Sequence, residues 1–94
     1  MLETTNMNKK KLGVIGLGYV GLPLAIEYKK IGFDVKGFDV DQSKIDLLNS
    51  GKSYIKHIKS DEIKTLLKDG VFATSDFAEL SDVDVIFVCV PTPI

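Results

Sequence analysis

Gly16-Leu17-Gly18-Tyr19-Val20-Gly21, followed by Asp39 at the end of the next apolar run, has the residue types and spacing of a phosphate cradle with an acid beside it. Each position answers a separate physical need. Gly16 permits a tight strand-to-helix turn, Gly18 lacks the Cβ that would hold a pyrophosphate off the backbone, and Gly21 lets the following helix lie close to the first strand. The phosphates would then meet a helix N-terminus, where unpaired N–H groups and the helix dipole favour an anion without any basic side chain. That suits a chain with no arginine. Asp39 can accept hydrogen bonds from adenosine ribose hydroxyls and would repel a 2′-phosphate, so the pattern favours NAD over NADP. The same glycines would also serve as turn and packing residues of an α/β domain that binds nothing. The strand before them, the helix after them and the acid at the expected distance are what point to a ligand.

The elements needed to position these residues alternate along the chain. Leu12 to Ile15 reads as a first strand and about Val20 to Ile31 as a helix, with Leu24, Ile26, Tyr28 and Ile31 among its apolar positions. Pro23 falls in the first turn, where no intrahelical donor is lost, and Gly32 supplies the left-handed stop. Asp34 to Phe38 forms a second strand. Asp41 can cap a short helix through about Asn49, with Ile45 and Leu48 facing inward and Gly51 ending it. After a loop from Lys52 to Lys59, a helix is predicted from Ser60 or Asp61 to Lys68, with Ile63, Leu66 and Leu67 as its apolar stripe and Gly70 as its stop. Val71 to Thr74 is a short third strand, and Phe77 to Leu80 suits one helical turn. Val83 to Val90 is almost continuously apolar, the pattern of a strand buried on both faces.

This is the N-terminal half of a doubly wound, Rossmann-type α/β fold, with a parallel sheet of about four strands in the order 3-2-1-4. A complete dinucleotide fold needs two such halves, so 94 residues hold only the adenosine half. Residues 1–10 read as a flexible leader, polar and without an apolar signal segment, and 11–94 as part of a nucleotide-binding domain of a larger enzyme. The composition is 45% hydrophobic and 27% charged with a formal net charge of −1, which gives no electrostatic case for nucleic acid or an anionic membrane. No apolar stretch is long enough to span a bilayer, and a single cysteine builds no disulfide framework. A cytoplasmic setting is expected.

Taken together, Gly16 to Ala25, then Gly37-Phe38-Asp39-Val40-Asp41 with Lys44-Ile45, and Val90-Pro91-Thr92-Pro93, resemble the start of the UDP-glucose/GDP-mannose dehydrogenase family. The Gly18-Tyr19-Val20-Gly21-Leu22-Pro23 run is far more specific than the generic glycine fingerprint. Within the family, Ser53-Tyr54-Ile55-Lys56-His57-Ile58 is similar to the corresponding loop of the UDP-N-acetylglucosamine 6-dehydrogenase branch. The resemblance implies oxidation of the C6 hydroxyl of a nucleotide sugar, for this branch a UDP-N-acetylhexosamine, to a carboxylate by two successive hydride transfers to NAD. It implies a catalytic cysteine that carries the intermediates, with lysine, asparagine and acidic partners, all beyond residue 94. It also implies a homo-oligomer for the intact enzyme, with the sugar nucleotide held mainly by downstream domains.

Residue by residue, the resemblance carries over cofactor contacts only. The backbone of Gly18, Tyr19 and Val20 would face the pyrophosphate, Asp39 the adenosine ribose, and Lys44 the same ribose edge. Thr92 would lie in the loop after the fourth strand, beside the switch point between strands 1 and 4 where open α/β sheets bind their ligands. Lys44 could equally be a solvated helix lysine, and Thr92 a loop residue between two prolines. Cys89, inside the predicted buried strand, reads as a small core hydrophobe and not as the family's nucleophile. His57 has no ligating or catalytic partner at suitable spacing and reads as a loop residue.

Two other functions fit the half fold. A β-hydroxyacid dehydrogenase shares the Gly-Leu-Gly turn, but Met-Gly usually follows it there, where this chain has Tyr19-Val20-Gly21. A non-enzymatic NAD-sensing module would use the same half without a following substrate domain.

Overall fold

A computed structural model describes residues 10–90. The elements run β1 (Lys11–Ile15), α1 (Gly21–Ile31), β2 (Asp34–Phe38), α2 (Gln42–Asn49), α3 (Ser60–Leu66), β3 (Ala73–Thr74), a 3₁₀ helix (Phe77–Asp82) and β4 (Val85–Val88). All pairs are parallel and the strand order is β3-β2-β1-β4, the expected half of a doubly wound sheet.

Register explains which side chains build the core. Leu12 pairs with Val35 and Val85, and Val14 with Gly37 and Phe87, so these positions share one face of the sheet. Leu22, Ala25 and Ile26 of α1, Ile45 and Leu48 of α2, and Ile63 and Leu66 of α3 are buried with Leu12, Val14 and Val35 in a single apolar cluster. The helix stripes at Ile45/Leu48 and Ile63/Leu66 lie where the periodicity puts them. On α1 the buried stripe is Leu22, Ala25 and Ile26, while Ile31, at the last position before Gly32, is 62% exposed. Tyr28 instead stacks on Phe87, with ring centroids 5.4 Å apart, and fastens α1 to β4.

Local chemistry sets the element ends. Gly32 takes φ 118°, and its N–H reaches the carbonyls of Tyr28 and Lys29. Asp41 caps α2 by accepting from the Ser43 N–H at 3.0 Å. Its carboxyl is held below the ordinary carboxylate range, chiefly by the Ser43 side-chain hydrogen bond. Helix α3 starts after Lys59, whose N–H donates to Glu62, and it closes at Leu66, two residues before Lys68. The third strand shortens to Ala73–Thr74 because Phe72 and Ala73 donate their N–H groups to Asn49 Oδ1, which brackets the chain onto α2.

The fourth strand departs most from expectation. Val83 to Val90 is not buried on both faces: Val88 is 66% exposed, and Val85, Ile86 and Val90 are exposed as well. Among the described residues β4 pairs only with β1 and is therefore an edge strand. Its helix-side face is covered at Phe87 by Tyr28. The opposite sheet face carries the 3₁₀ helix, where Phe77 packs 5.8 Å from Phe38 and Lys36 meets Glu79 at 2.5 Å. That cover sits over β2 and leaves Ile86 and Val88 open. Cys89, on the helix side with Phe87, is partly buried and packs against the core cluster, so it sits as a small apolar residue at the margin of the core.

Candidate nucleotide site at the glycine turn

The cradle is built where β1 ends. Gly16 has φ 94°, a left-handed conformation, and its N–H donates to the Phe38 carbonyl at 2.8 Å, locking the turn to β2. A Cβ there would lie 2.9 Å from the Cys89 backbone, so the end of β4 also demands glycine. At Gly21 a Cβ would sit 1.7 Å from the Gly16 carbonyl oxygen, which fixes how closely α1 approaches the turn. Gly21→Ala is therefore expected to destabilise the fold by about 3 kcal/mol, the upper range for overpacking, since the opposing atom is backbone. A thermal melt should show a midpoint lowered by at least roughly 10 °C.

Gly18 differs from both. Among the described residues, a Cβ at Gly18 would meet no heavy atom within 4 Å, and Gly18 does not occupy the left-handed region. The packing of the described residues does not require glycine there. What a side chain would fill is the mouth of a cavity of about 680 Å³, lined by Gly16 to Val20, Asp39, Val40, Lys44 and Phe77, with Cys89 and Val90 on the β4 side. No side chain caps the N-terminus of α1 at Val20, and no acidic residue stands in its first turn. Leu22 already donates its N–H to the Gly18 carbonyl at 3.1 Å and Pro23 has none, so the amides that can meet an incoming anion are those of the turn before the helix, Gly18 to Gly21.

Asp39 is 9% exposed, and its carboxylate is already at work in the fold. Oδ2 accepts the Leu17 N–H and Oδ1 the Asp41 N–H, each at 2.9 Å. The acid thereby ties the end of β2 to the glycine turn. Each oxygen keeps a lone-pair site that can accept a ribose hydroxyl from the cavity.

The structure brings Gly16, Gly18, Tyr19, Val20, Asp39 and Lys44 together around this one cavity, while Gly21 lies beneath it. Thr92 lies outside the described residues. The Tyr19 side chain is 71% exposed, leaving its backbone as the part that faces the turn. Lys44 is half-buried, with Nζ 5.7 Å from the centroid of the Tyr54 ring. His57 is exposed, its ring 6.3 Å from that of Tyr19. Sequence reasoning missed Val40 and Phe77 as apolar walls. It also named Tyr54 only as part of a loop pattern. The Tyr54 hydroxyl donates to the Leu17 carbonyl, a contact across 37 positions that no local pattern announces. Among the described residues no cluster of His, Cys, Asp or Glu could hold a metal, and no helix is long and apolar enough to cross a membrane.

Comparison with known proteins agrees with this geometry. Residues 10–94 match the UDP-glucose/GDP-mannose dehydrogenase family, NAD binding domain. The chain is 39% identical over 88 residues to a UDP-N-acetyl-D-glucosamine 6-dehydrogenase of Pseudomonas aeruginosa, covering 94% of the chain and 20% of that protein. It is 37% identical over 86 residues to a UDP-N-acetyl-D-mannosamine dehydrogenase of Pyrococcus horikoshii, covering 89% and 21%. A solved UDP-D-ManNAc dehydrogenase from Pyrococcus horikoshii superimposes with a TM-score of 0.81 at 35% identity, over 89% of this chain and 21% of that one. The chain spans about a fifth or less of the length of the curated relatives it matches. The glycine turn, the buried acid and these matches converge: this chain belongs to the UDP-glucose/GDP-mannose dehydrogenase family, within its NAD-binding domain.

Proposed function

We propose that residues 11–94 are the adenosine-binding half of the cofactor domain of a nucleotide-sugar dehydrogenase, which oxidises the C6 hydroxyl of a UDP-N-acetylhexosamine to the carboxylate. The observation that carries the cofactor half of this reading is Gly18, a glycine that no described residue requires, lining a cavity beside a helix N-terminus. The residues fit NAD. The N–H groups of Gly18, Tyr19 and Val20 hold the pyrophosphate, Asp39 and Lys44 the adenosine ribose, and Val40 with Phe77 flank the adenine. When bound, NAD supplies the hydride acceptor. The substrate follows from relatives that carry UDP-N-acetyl-D-glucosamine and UDP-N-acetyl-D-mannosamine in their names, and from the similar Ser53 to Ile58 loop. The setting we propose is the cytoplasm, with the intact enzyme a homo-oligomer.

Orientation of the cofactor is what this half contributes to catalysis. Oxidation of the alcohol through to the carboxylate requires a nicotinamide held over C6 and a thiolate within reach of the aldehyde carbon. The chain's one thiol, Cys89, lies under the turn, its Cβ 3.3 Å from where a Gly21 side chain would begin. That is the phosphate end of the cofactor. Residues 1–94 alone are therefore expected to show no NADH formation with NAD and UDP-N-acetylglucosamine, UDP-N-acetylmannosamine or UDP-glucose. A protein extending through the substrate domain should turn over one of the acetylated sugars. Turnover by the chain alone that disappears in Cys89→Ser would refute this division of labour.

A further inference from the structure

We propose that Tyr54 is a positioning residue that sets the phosphate-binding amides of the glycine turn through the Leu17 peptide groups. The inference rests on the cofactor reading above and extends it to a loop that does not line the cavity. Leu17 is held at both of its backbone polar groups: its N–H donates to Asp39 Oδ2 at 2.9 Å, and its carbonyl accepts the Tyr54 hydroxyl. The peptide that carries the Leu17 carbonyl also carries the Gly18 N–H. Fixing the oxygen of that plane fixes the direction of its N–H, the first of the amides aimed at an anion. Leu17 itself is fully buried, so the clamp works where water does not compete.

Tyr54 is itself held for this task. Ser53 Oγ accepts the Ile55 N–H at 3.2 Å and donates to the Ile55 carbonyl at 3.0 Å, closing a tight loop around Tyr54. Ile55 and Ile58 anchor the loop in the core on either side of the exposed Lys56 and His57. Lys44 lies against the Tyr54 ring. Burial, reinforced by the negative charges of Asp39 and Asp41, pushes the phenol well above its ordinary pKa, so the hydroxyl remains a donor across the working pH range. The phenol therefore keeps its proton, and the Leu17 carbonyl is the acceptor of that proton.

Tyr54→Phe keeps the ring and removes the clamp. ADP and NAD, which carry the pyrophosphate, should bind about tenfold more weakly to the variant, while adenosine in a competition titration keeps its affinity. Hydrogen exchange at the Gly18, Tyr19 and Val20 amides should accelerate with the far-UV circular dichroism unchanged. Equal weakening of ADP and adenosine would mark general loosening and overturn the proposal. Ser53→Ala, which frees the loop without touching the phenol, should move the ADP-to-adenosine ratio in the same direction by a smaller factor. An unchanged ratio in both variants, beside a Gly18→Val control that has lost ADP, would overturn the positioning role and leave the site intact. Retention of ADP by that control would instead remove the site.

Discussion

Gly18→Val is expected to lose at least about a hundredfold in NAD affinity while its thermal midpoint stays within a few degrees of the parent chain. The two halves of that result come from one observation. Among the described residues a Cβ at residue 18 meets nothing within 4 Å, and the backbone there lies outside the left-handed region, so a valine is accommodated without strain. Replacing a glycine under those conditions also narrows the unfolded ensemble, which offsets part of any loss. The same side chain projects into the cavity mouth and holds a pyrophosphate off the amides of the turn. Loss of about two charge-assisted hydrogen bonds at 1.5 kcal/mol or more each is roughly 3 kcal/mol, or about a hundredfold. Gly21→Ala should show the opposite pattern, failing in stability first. A Gly18→Val variant that melts early, or that binds NAD normally, would remove the ligand as the reason for that glycine.

Most of the site was legible because its determinants are local. The turn, its acid and the helix that follows lie within Leu12 to Asp41, and each glycine's role can be argued from sterics alone. The parallel order of strands was legible for the same reason, from alternating elements whose crossovers allow few topologies. What escaped depends on partners distant in sequence. Tyr54 looks like any loop tyrosine until the fold brings it to Leu17, and Phe77 reaches the cavity wall only because the 3₁₀ helix lies over Phe38. The burial of β4 was misread for a related cause. An apolar run reports what a strand is suited to touch, and here Tyr28 covers Phe87 while no described element covers Val88. Asp39 shows a third limit: its spacing points to a ligand, and only in the folded chain does it also hold the Leu17 and Asp41 amides.

That double duty shapes how the central claim is best tested. Substituting Asp39 strips the buried Leu17 N–H of its acceptor, a cost of about 1–3 kcal/mol in stability that would blur any effect on binding. Changing the ligand avoids this. NADP differs from NAD by a 2′-phosphate on the adenosine ribose, the group that would lie against the Asp39 carboxylate. Like charges brought together in a largely buried site cost several kcal/mol, more than the half-buried Lys44 nearby can return while it lies against Tyr54. The measurement is a pair of calorimetric titrations of the unaltered chain, one with NAD and one with NADP, at a single ionic strength. The account predicts that NAD binds at least about tenfold more tightly, and equal or tighter binding of NADP would contradict it.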